Sequence, residues 1–439
     1  MVVLKFGGTS VGKPERMKKI TNLVISTPGQ KVVVLSALSG TTNALVLIGD
    51  LLLKNKLEQA EQEIVTLEKH YQSFSKDLYS SPAYQAIGQE IVSRFFVFIR
   101  LLAAGQFDDK SYRELLAQGE LISTEIFYQH LVESKIRARL LPALHFMSID
   151  ENEEPELEKI SSRLKPLMNS LQDIELIITQ GYICRNHRNE IDNLKRGGSD
   201  YTASLIGAAV GAEEIQIWTD IDGMHNNDPR IVKNTYPISE LTFDEASELA
   251  YFGAKILHPS TIVPAQKYNI PVRLKNTMDE KAAGTIISNK GTEGVVKAIA
   301  AKDNIIAIKI KSSRMLMAYG FLRKVFEIFE QYKTPIDMIS TSEVAVSLTI
   351  DLDAHLDRIV EELGVFGSVE IDRNQSIICI VGHKIGNRKG VLNKIFGCLA
   401  EIPIRMVSVG GSHNNISVLV DTLHKNETLI SLNQGVFNR

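Results

Sequence analysis

Val2-Val3-Leu4-Lys5-Phe6-Gly7-Gly8-Thr9-Ser10-Val11-Gly12 opens the chain. Its first five residues are large and apolar with one lysine among them, the pattern of a short buried strand. The glycine pair that follows carries no Cβ, so backbone N–H groups there approach an anion closely. Lys5 adds an ammonium at the strand end. Bare amides and one cation at a strand tip suit a polyphosphate, and ATP phosphates are expected there. Gly7, Gly12 and Lys13 also have the spacing of a P-loop, but Pro14 stands where that loop needs a Ser or Thr hydroxyl for Mg²⁺. No Gly-x-Gly-x-x-Gly follows the strand, which argues against a dinucleotide fold. A strand-to-helix turn that needs glycine only for its backbone stays open at this point.

The rest of the chain sets the frame for that loop. A length of 439 residues is enough for two or three domains with ample core. The hydrophobic and charged fractions, 44% and 23%, are those of a globular protein. A net charge of −3 and a single Trp give no nucleic-acid surface, so small molecules are the expected partners. Cys184, Cys379 and Cys398 are odd in number and scattered, without metal or disulfide spacing, which fits a reducing cytosol. The N-terminus shows no charged-then-apolar leader, so no signal peptide and a cytoplasmic location are expected. The most apolar run, Phe95 to Ala104, contains Arg100 and is too short for a bilayer; it reads as a buried helix.

The first two thirds alternate between strands and helices. Lys31–Leu35, Ile174–Thr179, Glu214–Thr219 and Val272–Lys275 read as buried strands, and Leu57 to Phe74 and Tyr112 to Glu133 show helical apolar spacing. Thr242-Phe243-Asp244-Glu245 has the form of a capping box opening a helix to Leu257. This alternation predicts an α/β class: an open, mostly parallel sheet with helices on both faces. After about residue 290 the order changes to strand Ile305–Ile310, helix Gly320–Tyr332, strands Ile336–Ser340 and Val344–Asp351, and helix Leu356–Gly364. Strand Ile377–Val381, helix Gly390–Glu401, strands Arg405–Val409 and Ile416–Asp421 and a helix from Lys425 repeat it. These are two βαββα units, an internal repeat. The expected domains are 1–292, 293–372 and 373–439. The second unit has no clear final strand, so the two units interleave or the chain pairs with another subunit, and a homodimer or higher homo-oligomer is expected.

The polar motifs of the first part lie just past strand carboxyl ends, where ligands bind in open α/β sheets. Ser36 to Thr42 follows one strand, Gln180-Gly181-Tyr182 another, and Asp220 a third. They are expected to converge with Lys5, Gly7 and Gly8. Arg196-Gly197-Gly198-Ser199-Asp200 opens a helix whose N-terminus suits an anion, with Arg196 matched to a carboxylate. Ser199 also fits simple capping. Asp200 fits three tasks: ordering the loop, receiving an ammonium group or positioning Lys5. Glu120 sits on an otherwise apolar helix, either as an acceptor for an α-ammonium group or as an exposed helical acid. Asp228-Pro229-Arg230 and Gly253-Ala254-Lys255 look like the nucleotide side, whereas His258 reads as a structural helix-end residue.

Lys5-Phe6-Gly7-Gly8-Thr9-Ser10, Arg196-Gly197-Gly198-Ser199-Asp200-Tyr201-Thr202, Trp218-Thr219-Asp220 and Gly253-Ala254-Lys255-Ile256-Leu257-His258-Pro259 resemble, in order, the motifs of the aspartokinases of the amino-acid kinase superfamily. The paired C-terminal units resemble ACT domains. The length matches the monofunctional enzymes, and Met315, Gly320, Phe321, Leu322, Asp337, Thr341 and Ser342 resemble the effector segment of the lysine-sensitive type. The resemblance implies ATP-dependent phosphorylation of the L-aspartate β-carboxylate, with Mg²⁺ carried by ATP and no metal held by the protein itself. It gives Lys5 the charge on the transferring phosphoryl group and Asp200 the ordering of that cationic centre. Gly7 and Gly8 would cradle phosphates. Ser36, Thr42, Glu120, Arg196, Gly197 and Ser199 would hold aspartate. Thr219, Asp220, His225, Arg230 and Lys255 would bind the nucleotide, His225 standing where relatives usually carry Tyr. L-lysine is the expected effector, with no nucleic-acid or membrane partner. A glutamate or acetylglutamate kinase, or a non-catalytic amino-acid sensor, are the alternatives.

Overall fold

The computed structural model describes residues 1–195, 197–253, 257–293, 295–312 and 319–437. Two compact units form: Met1–Met224 with Leu257–Asn289, and His225–Ile256 with Lys290–Arg439. No helix among the described residues is long and apolar enough to cross a membrane.

In the first unit Val2–Phe6 lies between Lys31–Leu35 and Glu214–Thr219, parallel to both. Leu176–Gln180 and Ala138–Leu140 extend the sheet beyond Lys31–Leu35, and Val272–Asn276 lies beside Glu214–Thr219, all parallel. Thr285–Ser288 adds an antiparallel strand. Side chains alternate between the faces of a strand. Leu4, Phe6, Val33, Leu35, Leu176 and Ile178 therefore share one face, packed with Met17, Ile20, Ile64, Tyr71, Ile126 and Phe127 from the helices that cover it. Val3 and Lys5 point to the opposite face, where helix Gly198–Val210 packs against the first strand and lays Gly207 on Ile215. This is why Lys5 meets the start of that helix.

Helices Leu57–Leu78 and Asp109–Glu133 extend the predicted stretches by a turn at one end. The apolar run from Phe95 belongs to helix Pro82–Ala104, but it is not buried all round: Phe96 and Ile99 are buried, whereas Val97 and Leu101 are exposed, Leu101 at 67%. A single face of that helix reaches the core.

In the second unit Thr242 caps helix Phe243–Tyr251. Glu245 N–H donates to Thr242 Oγ1 (3.2 Å) and Thr242 N–H to Glu245 Oε2 (2.7 Å), completing the expected capping box. The helix ends at Tyr251 rather than Leu257, because Gly253 has φ +113° and breaks the helical path.

One six-stranded antiparallel sheet carries both repeats. Its two central strands, Ala298–Lys311 and Ser368–Val381, are 14 residues each. Ile306 to Lys311 pairs with Ala345–Ile350, and Ile339–Thr341 closes that edge. Ala298 to Lys302 instead pairs with Ile377 to Val381, whose other side takes Asn415–Asp421 and then Met406–Val409. The strand missing from the second repeat is thus the first half of Ala298–Lys311, supplied by the same chain. Incompleteness of the second repeat therefore gives no argument for a partner subunit. Separate apolar cores form under each repeat, one around Ile308, Val325 and Leu348 and one around Ile380, Val418 and Leu432.

Candidate active site

A cavity of about 770 Å³ opens at the carboxyl ends of the first unit's parallel strands. Lys5, Gly7 and Gly8 enter it from the first strand, Ser36 and Thr42 from the second, and Thr219 from Glu214–Thr219. Glu120 arrives from helix Asp109–Glu133, and Gly197, Ser199 and Asp200 from the start of Gly198–Val210. Ten of the residues expected from sequence are therefore in one place.

Lys5 Nζ pairs with Asp200 Oδ1 at 2.6 Å, and both side chains are largely shielded from solvent. Asp200 thus faces the Lys5 ammonium. Gly7 makes room for this ammonium: a Cβ there would sit 3.3 Å from Lys5 Nζ.

Glu120 is 3% exposed, so it is not a solvated helical acid. Its Oε1 accepts the Ala37 N–H (3.2 Å), and its Oε2 is buried without a hydrogen-bond partner. Burial pushes its carboxyl up to about 8, against the pull of the Ala37 N–H and the Lys5 charge. Ser123, one turn on, donates from Oγ to the Ser36 carbonyl (2.8 Å), and Tyr71 OH and Thr41 Oγ1 are 2.9 Å apart in the core. The loop that presents Ser36 and Thr42 is thus pinned from below at Ser36, Ala37 and Thr41. An unpartnered carboxylate oxygen beside a lysine, amides and hydroxyls can take an ammonium, a carboxylate and a phosphoryl group together.

Other expected residues lie elsewhere. Asp220 is exposed and accepts from Thr219 Oγ1 (3.1 Å), outside the cavity lining. His225 and Arg230 belong to the second unit. His225 Nδ1 is 2.9 Å from Thr235 Oγ1, and Arg230 forks onto Asp228 through Nε (2.9 Å) and Nη2 (2.7 Å). Arg196, Lys255 and Met315 lie outside the described residues. His258 caps helix Pro259–Lys267, as its reading as a helix-end residue expects.

Tyr182 and Lys195 line the cavity without having been given a role. Tyr182 holds φ +67°, an uncommon conformation for a bulky side chain, directly after Gly181. Gln180-Gly181-Tyr182 is one of the strand-end motifs expected to converge here, and Tyr182 is its member that lines the cavity. Lys195 pairs with Glu153.

In the second unit Thr341 and Ser342 share a shallow hollow of about 560 Å³ with Lys309 and Lys311. Gly320 caps helix Phe321–Gln331 with φ +78°, and Phe321 turns into the core, edge-on to Phe366 at 5.9 Å, while Leu322 is exposed. Asp337, its side chain 2% exposed, already holds an ammonium: Lys302 Nζ lies 2.7 Å from Oδ1 and 2.9 Å from Asp351 Oδ2, and Tyr251 OH donates to the same Oδ1 (2.8 Å).

Comparison with known proteins gives the family of the chain. The amino acid kinase family model matches residues 1–276, and an ACT domain model matches 378–435. The lysine-sensitive aspartokinase 3 of Escherichia coli is 33% identical over 459 residues, spanning all of this chain and 99% of that one. The crystal structure of E. coli aspartokinase III with aspartate and ADP, in the R-state, superposes with a TM-score of 0.85 at 31% identity, both chains covered completely. Its T-state complex with lysine and aspartate gives 0.82, again at 31% identity and full coverage of both chains. The chain belongs to the amino acid kinase family and, within it, to the aspartokinases with ACT domains.

Proposed function

We propose that this chain transfers the γ-phosphoryl group of ATP to the β-carboxylate of L-aspartate, giving 4-phospho-L-aspartate, the entry step to lysine, threonine and methionine. The observation that carries this reading is Glu120 Oε2, buried and unpartnered beside the Lys5–Asp200 pair. An α-ammonium group is the partner that such an oxygen lacks. Ser36, Thr42, Gly197 and Ser199 line the same cavity and hold the substrate, with Arg196 on its α-carboxylate. A carboxylate is already a nucleophile at neutral pH, so no general base is needed. Catalysis is positioning plus neutralisation of phosphate charge by Lys5 and the Gly7 and Gly8 amides. Mg²⁺, bound to the ATP phosphates, supplies further neutralisation of that charge. Among the described residues no His, Cys, Asp and Glu cluster offers to hold the metal alone. Thr219, Asp220, His225, Arg230 and Lys255 serve the nucleotide. The catalytic domain is taken as 1–292 and the regulatory units as 293–372 and 373–439, in a cytoplasmic homo-oligomer.

The test is hydroxylamine trapping of the acyl phosphate with ATP and Mg²⁺ across L-aspartate, L-glutamate and N-acetylglutamate. Aspartate should be strongly preferred; equal turnover of either rival overturns the substrate assignment. Lysine is the proposed inhibitor, acting through Met315, Gly320–Leu322, Asp337, Thr341 and Ser342. A lysine ammonium that uses Asp337 has to displace Lys302 from it. Titration with lysine, alone and with threonine, decides the effector, and inhibition by threonine only rejects it.

A further inference from the structure

Asn226 and Asn227 are buried, and both side-chain amides run to the last helix, Lys425–Val436. Asn226 Nδ2 donates to Asn433 Oδ1 (3.2 Å), and Asn227 Nδ2 donates to the same oxygen (3.4 Å) and to the Leu429 carbonyl (3.1 Å). Asn226 Oδ1 in turn accepts the Tyr236 N–H (2.9 Å), and Asn227 Oδ1 accepts the Asp228 N–H (2.9 Å). Beyond the turn, Val232 joins the core with Leu429 and Leu432. The next side chains present the charge: Asp228 holds the guanidinium of Arg230, a side chain that is 81% exposed. A buried amide has few geometries that satisfy all its groups, so this set fixes the backbone of the turn. One atom, Asn433 Oδ1, takes two of these bonds.

We propose that Asn433 is a positioning residue for the nucleotide: by holding Asn226 and Asn227 it sets the attitude of the Asp228–Arg230 turn, and with it the affinity for a nucleoside polyphosphate. The inference rests on the proposed role of Arg230. It makes the final helix of the regulatory region part of what determines nucleotide binding, although that helix carries no residue assigned to the ligand.

The experiment measures ADP affinity by calorimetry, and the KM values for ATP and aspartate, in the full-length chain carrying Asn433→Ala, Asn433→Asp, Asn227→Ala or Arg230→Ala. Loss of one or two neutral hydrogen bonds should weaken ADP binding about three- to tenfold in Asn433→Ala. The KM for ATP should follow and the KM for aspartate should stay in place. Asn433→Asp keeps the acceptor and should restore ADP affinity; a purely structural role would instead move thermal stability without splitting the two KM values. Asn227→Ala removes only that residue's bonds and gives the same split if Asn433→Ala does not fold. Wild-type ADP affinity in Asn433→Ala and Asn227→Ala, with Arg230→Ala weakened, overturns the inference. Unchanged affinity in Arg230→Ala places the failure in the nucleotide role of Arg230 itself.

Discussion

Replacing Glu120 by Gln removes a charge while leaving an oxygen to accept the Ala37 N–H, so the loop bearing Ser36 keeps its anchor. Burial holds this carboxyl at about 8. At pH 7 it is then about nine-tenths protonated, and binding an ammonium requires the proton to leave. Apparent affinity for aspartate should therefore rise about eightfold between pH 7 and pH 8.5 in the wild type, as the fraction ready to pair grows. A charge-assisted hydrogen bond is worth roughly 1.5–3 kcal/mol, so Glu120→Gln should raise the KM for aspartate about ten- to a hundredfold at pH 8.5. The penalty should shrink toward pH 7. Steady-state kinetics at fixed saturating ATP between pH 6.5 and 8.5 measures both effects. Parallel pH profiles for wild type and variant, or an unchanged KM for aspartate, would refute an ammonium at Glu120.

The same carboxyl bears on stability. Its folded pKa lies above its ordinary 4.5, so its favourable contribution is complete below that value and is lost as pH rises toward about 8. Denaturant midpoints should fall over that window in the wild type, and less so in Glu120→Gln. Lys5→Met should cost on the order of a hundredfold or more in kcat with the protein folded, measured by trapped acyl phosphate; near-wild-type turnover would make Lys5 structural. Tyr71→Phe leaves the buried Thr41 hydroxyl without its partner and should lower stability by about 1–3 kcal/mol in urea melts. Asp337→Ala should relieve lysine inhibition while uninhibited turnover persists; full inhibition in that variant would take Asp337 out of the effector site.

The strand-end loops were legible because a parallel sheet gathers them by geometry alone, whatever their separation in sequence. Lys31–Leu35 and Glu214–Thr219 come out with their predicted ends, since β-branched runs between polar residues leave little choice. The state of Glu120 was not legible: helical periodicity shows that it lies among apolar residues, not that one of its oxygens stays unpaired. Ala298 to Lys302 does not read as a strand, because Ala-Ile-Ala-Ala-Lys has neither alternation nor β-branched density; its pairing with Ile377 to Val381 makes it one. The turn at Asn226-Asn227 carried no hint of its owner. Asparagine pairs mark turns in general, and the acceptors that bury these two lie some two hundred positions later in the chain. The ammonium on Asp337 belongs to Lys302, a residue that local pattern gives no reason to connect with it.

The two 14-residue strands shared by the repeats bear on how such a protein can be cut and recombined. Duplicated segments usually tolerate exchange at the seam between copies. Here the seam after residue 372 falls inside the strand Ser368–Val381, so a break there splits one continuous ladder. A fragment ending at 372 leaves Ala298 to Lys302 without Ile377 to Val381, and a fragment starting at 373 leaves the second copy short of a strand. Grafting a foreign sensor onto this catalytic unit therefore has to exchange both copies together, from before Ala298 to beyond the last helix.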